Sequence, residues 1–150
     1  MWPLTTRPAE QLPVIIKVKT DIKQGQETEN YEFITIGRFQ QTATASFLRY
    51  DEEMEVGKVT TTIKLSKDGA SILRSGALNM KMTFQKQLTM PGTYQSPYGT
   101  MQTEAHTHQL SYHFQPEIKE GSVELVYDLT IQGSLAGTYH LNITYKEEAK

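Results

Sequence analysis

Hydrophobic and polar residues alternate along most of this chain in short runs, each closed by turn residues, and no stretch carries the period of a long helix. The clearest run is Lys58 to Ser66. Val59, Thr61, Ile63 and Leu65 share one face, and Lys58, Thr60, Thr62 and Lys64 share the other. The same alternation predicts a first strand over Val14 to Lys23 and a second around Tyr31, Phe33 and Thr35, ending near Gly37. A third covers Thr42 to Tyr50, with Leu48 and Tyr50 on one side. Asp68-Gly69 is a hairpin signal, Ala70 to Ser75 returns, and Met80, Met82 and Phe84 alternate after Gly76. Met90 to Gly99, with Pro91-Gly92 and Pro97, reads as a turn-rich connection.

A long segment from Met101 to Phe114 follows, then a hairpin at Glu120-Gly121. Val123, Leu125, Tyr127, Leu129 and Ile131 form one apolar face. Gly133 to Gly137 turns the chain into a last strand with Tyr139, Leu141, Ile143 and Tyr145 together. Strands at this spacing, about 8–10 in number, predict an all-β antiparallel up-and-down meander. Closing it into a barrel removes its exposed edges. The proline-punctuated residues 1–13 are expected to form an extended arm, and residues 14–147 a single barrel domain.

Composition narrows the function classes. A chain of 150 residues can bury one sizeable core. Its net charge of -2, with lysines and arginines scattered singly, argues against nucleic-acid binding. No apolar run approaches a membrane span. The chain has no cysteine, and Met1 to Pro8 lacks a basic start followed by an apolar run, so a cytoplasmic setting is expected. In that setting the glycosylation acceptor Asn142-Ile143-Thr144 is a chance match. The densest charge run, Asp51, Glu52, Glu53 and Glu55, reads as a solvated loop.

Several segments together resemble a family. They are Phe33 to Gly37, Gly57-Lys58-Val59 to Lys64-Leu65-Ser66, Arg74-Ser75-Gly76, Tyr127-Asp128 and the closing Ile143-Thr144-Tyr145. Their order and spacing, over roughly Val14 to Tyr145, resemble the YwiB-like proteins, uncharacterised β-barrel proteins of Gram-positive bacteria. The resemblance implies a lipocalin-like, calycin-type barrel in the cytoplasm and supplies no catalytic residues. The Gly-x-Trp signature of secreted lipocalins is missing, since the single tryptophan is Trp2.

One charge is expected inside the barrel. With Asp68-Gly69 at the centre of a two-residue loop, Lys67 pairs with Ala70, Leu65 with Ile72 and Ile63 with Arg74. Cross-strand partners share a face, so Arg74 points inward with the apolar side. A guanidinium there needs an acceptor or water. It either meets an anionic group on a ligand, with Tyr127 and Tyr145 adding hydroxyl donors, or stays at the barrel mouth with its stem buried, or is paired by an internal acid or backbone carbonyl; a bulge or a three-residue loop would turn it outward. Phe33, Tyr50, Met80, Met82 and Phe84 would supply the apolar lining.

His106-Thr107-His108 is the strongest metal-like motif, and its spacing resembles that of cupins. The rest of the cupin pattern is missing: the next acid is Glu117, and His140 lies on the face opposite Tyr139 and Leu141. Met101, Thr103 and Ala105 are out of phase with Leu110, Tyr112 and Phe114. A bulge near Gln109 reconciles the two phases and turns both histidines to solvent. The chain has no nucleophile elbow, phosphate loop or dinucleotide fingerprint, so no cofactor is expected.

The leading expectation is a non-enzymatic intracellular barrel that binds a small, partly apolar, anionic molecule through Arg74, Tyr127, Tyr145, Phe33, Tyr50 and Met82. The alternatives are a self-associating module with a filled core, such as a homodimer, and a metal-dependent enzyme using His106 and His108.

Overall fold

The computed structural model describes residues 11–148. Ten strands follow in chain order: β1 (Gln11–Gln24), β2 (Glu27–Gln41), β3 (Ala45–Met54), β4 (Gly57–Ser66), β5 (Gly69–Gly76), β6 (Asn79–Phe84), β7 (Thr89–Ser96), β8 (Gly99–Gln115), β9 (Glu120–Ile131) and β10 (Ser134–Glu147). Each strand pairs antiparallel with its neighbours in sequence, and β1 pairs with β10, from Val14 opposite Glu147 to Lys23 opposite Thr138. The sheet is a closed ten-stranded meander. Among the described residues no helix is long and apolar enough to cross a membrane, which says nothing of crossing by strands.

Five hairpin turns, from β1–β2 to β9–β10, gather at what we call the upper end. The other four turns and the ends of the described chain lie at the lower end. The lower half is the dry core. Val14, Ile16, Leu48, Leu65, Phe84, Leu125 and Ile143 are almost wholly buried there. Phe39 stacks against Phe114 and Tyr145, with ring centroids 4.5 and 5.0 Å away. Such pairs add to the burial of their own large surfaces.

The alternation predicts the inward face well, and the boundaries differ in places: β3 is Ala45–Met54 rather than Thr42 to Tyr50, and β10 begins at Ser134, inside the expected Gly133 to Gly137 turn. Met90 to Gly99 is not a loop connection: Thr89–Ser96 is strand β7. Pro91 is compatible with it because the β6–β7 ladder runs only to Lys81 opposite Thr93, so the missing N–H falls beyond that pairing. Gly92 allows close packing there, since a Cβ would collide with the Lys81 carbonyl. The β4–β5 hairpin turns at Lys67-Asp68 rather than Asp68-Gly69. Ser66 pairs with Gly69, and Arg74 faces Thr61 instead of Ile63. Gly69 serves a near approach to the Phe84 carbonyl. At the β8–β9 turn, Glu120 and Gly121 are already paired in β9, opposite Gln115 and Phe114. β1 begins at Gln11, so Gln11, Leu12 and Pro13, expected in the arm, pair with β2; the remainder of the arm lies outside the described residues.

Gly37 marks where β2 passes from pairing with β1 alone to pairing with β3 as well. A Cβ here would meet the Arg49 carbonyl and the Ile16 side chain. Neither can move without disturbing a ladder or the core. Gly37→Val is therefore expected to lower stability by about 1–3 kcal/mol, the usual range for overpacking. The urea unfolding midpoint checks this, and an unchanged midpoint would contradict the packing described.

Candidate ligand-binding site in the barrel

The pairing registers place Tyr50, Thr61, Arg74, Met80, Tyr94 and Met101 along one inward row across β3 to β8. Across the barrel, Tyr127 on β9 faces Tyr139 on β10, and their rings stack at 5.2 Å. An inward side chain of a closed barrel reaches solvent only where the lumen is open. Phe33, Arg74, Met80, Tyr94, Met101 and Tyr139 all point inward yet remain partly exposed, whereas Ile16, Leu48, Leu65 and Phe84 of the lower core are buried. The upper half therefore carries a mixed-polarity set of inward side chains that keep partial contact with solvent. Its floor includes Phe84, in contact with Tyr127 at 4.8 Å, and buried Met82.

Arg74 lies in the field of two phenols from different walls. Burial raises the pKa of Tyr50, and Arg74 opposes that shift. Burial likewise raises Tyr127, with Tyr139 adding to the shift and Arg74 opposing it. Both phenols therefore keep their O–H donors at neutral pH. Among the described residues, no carboxylate pairs with Arg74, and its buried Nε has no hydrogen-bond acceptor. Thr61, fully buried, lies beside the Tyr50 phenol without completing a hydrogen bond through Oγ1. Thr103 and Thr107 also carry buried hydroxyls without partners. A barrel interior with this many unanswered polar atoms is unlike a simple apolar filling.

Of the residues singled out from sequence, Arg74, Tyr50 and Tyr127 come together, and Phe33 joins them through an edge contact with Tyr50 at 5.9 Å. Met82 lies below, buried beside Ile72. Tyr145 is elsewhere, packed at the lower end over Gly121 and against Phe39. Glu52 was hidden in the acidic run. That run does not form a solvated loop: Asp51 to Met54 continues β3, and Glu52 keeps the inward parity of Leu48 and Tyr50. Extending that alternation by one step would have found it.

The histidines face outward. The bulge falls between Thr107 and Gln109, as the phase change required. His108 Nε2 lies 2.8 Å from Asp128 Oδ2, His106 Nδ1 lies 2.8 Å from the Thr89 hydroxyl, and His140 pairs with Glu124 at 2.7 Å. No cluster of three or more His, Cys, Asp or Glu among the described residues is arranged to hold a metal ion. Two hollows of about 490 and 650 Å³ also lie on the outer surface, beside Arg38 and Arg49 and beside Ile34 and His113 respectively.

A family model described as a domain of unknown function, DUF1934, matches residues 16–143. The chain belongs to this family. A relative within the curated proteins, the uncharacterised β-barrel protein YwiB of Bacillus subtilis, is 26% identical over 137 residues, spanning 91% of this chain and 95% of its own. The crystal structure of the Bacillus subtilis protein superposes with a TM-score of 0.85 at 24% identity, covering 98% of this chain and all of the other. The superposition shows that the two chains share one fold. Lipocalins close with eight strands, whereas this barrel closes with ten.

Asp128 offers a pH test of the outer face. The Thr138 hydroxyl, helped by His108, holds its carboxyl below the ordinary carboxylate range against a smaller opposing effect of burial. A depressed folded pKa stabilises above the unfolded value, and that stability is lost as pH falls through the folded one. Asp128→Asn is expected to unfold at lower urea than the parent at neutral pH. The gap should close as pH drops below the carboxylate range; a gap that persists in acid would contradict this account.

Proposed function

We propose that this barrel binds a small, partly apolar anionic molecule in its upper half, with Arg74 as the anion-binding group. The observation that carries the proposal is an inward-facing, partly exposed guanidinium whose buried Nε has no acceptor among the described residues. Guanidinium is always charged and presents a planar fork of donors suited to a carboxylate. The Tyr50 and Tyr127 phenols would add neutral donors beside it. Phe33, Met80 and Met82 offer apolar surface for the body of the ligand. The cysteine-free sequence supports an intracellular setting.

Native mass spectrometry of protein purified from its own host, followed by denaturing extraction, tests the proposal. A stoichiometric small acid is the expected result. A barrel that leaves the host empty and binds no acid would favour the self-associating module instead. Arg74→Leu is expected to abolish binding while leaving the urea midpoint unchanged or higher, because no described protein partner is orphaned. A structural Arg74 would instead cost about 1–3 kcal/mol on removal, through the unmet partner left behind.

A further inference from the structure

The upper half holds a second unanswered charge, opposite in sign to Arg74. Glu52 points inward from β3 opposite Val59. Its Oε1 is buried, and no described residue donates a hydrogen bond to it. It forms no ion pair with Arg74 or with any other described cation. On the strand lattice Glu52 stands one inward step nearer the upper turns than the row of Tyr50, Thr61 and Arg74. It is also two strands away from Arg74, a backbone separation on the order of 10 Å. Cation and anion thus stand at different depths of the upper half, on either side of the Tyr50 phenol that both influence. Phe33 and Met80 are partly buried inward side chains in the same half.

Glu52 is half-buried, but its Oε1 is out of water without a donor, and such an oxygen gains from one. A ligand with a multiply charged phosphate or sulfate would set like charges near Glu52 and is disfavoured. We propose that the ligand is an amphoteric acid. Its carboxylate meets Arg74 at depth, its amino or hydroxyl donor meets Glu52 nearer the mouth, and a short apolar spacer lies along Phe33 and Met80. This deepens the binding proposed above and rests on it.

The probes are caproate and ε-aminocaproate, which differ only in a terminal amine, titrated calorimetrically into the purified full chain. The amine is expected to tighten binding about tenfold, the scale of one charge-assisted hydrogen bond. Glu52→Leu should erase that preference, so that the two probes bind alike. Glu52→Gln, which keeps an acceptor and the side-chain shape, should reduce it, and it decides the matter if the leucine variant does not fold. Caproate binding that needs Arg74 but shows no preference for the amine, and no response to Glu52→Gln, would overturn the amphoteric class and leave the anion site standing. Failure of both probes to bind, with Arg74→Leu indistinguishable from the parent, would overturn both proposals.

Discussion

Everything in this molecule depends on the ladder between its first and last strands. β1 is paired on both sides along nearly its whole length, with β2 in sequence and β10 across the closure. Without the β1–β10 ladder the sheet has two free edges and no inside. With it, parity alone decides each side chain's environment, because every inward residue shares one enclosed space. A lone arginine then matters: on an open sheet it could swing away to water, but in a barrel it remains within a shared interior.

That interior is graded along its axis. The lower half is closed by aliphatic side chains and by the aromatic cluster of Phe39, Phe114 and Tyr145. The upper half replaces them with Tyr50, Thr61, Arg74, Glu52 and the stacked Tyr127–Tyr139 pair. The dry packing and the polar inward side chains are therefore assigned to different ends of the same strands. β3 makes the division within a single strand, with Leu48 in the core, Tyr50 at the boundary and Glu52 toward the mouth.

Parity was legible in the sequence, whereas register was not. Arg74 faces inward although its partner is Thr61 and not Ile63, because a slip of two residues preserves the face. The Asp68-Gly69 signal misled about the turn centre because Gly69 answers a steric demand from Phe84, on a strand still to come. Strand β7 was masked by Pro91 and Gly92, whose meaning depends on where the β6 ladder stops. Glu52 was lost in a run of acids whose composition outweighed its alternation. The histidines were readable because two apolar phases in β8 could be joined only by a bulge.

Closure by the chain's two ends also sets the order in which this protein can be made. Emerging from the ribosome, β1 pairs early with β2, but its other edge waits until more than a hundred further residues have been added. During that interval the edge resembles a template for pairing with other chains. Its outward positions include Lys17, Lys19, Asp21 and Lys23, charges that the finished barrel merely displays to solvent. For the nascent chain, the same charges discourage aggregation while the last strand is awaited.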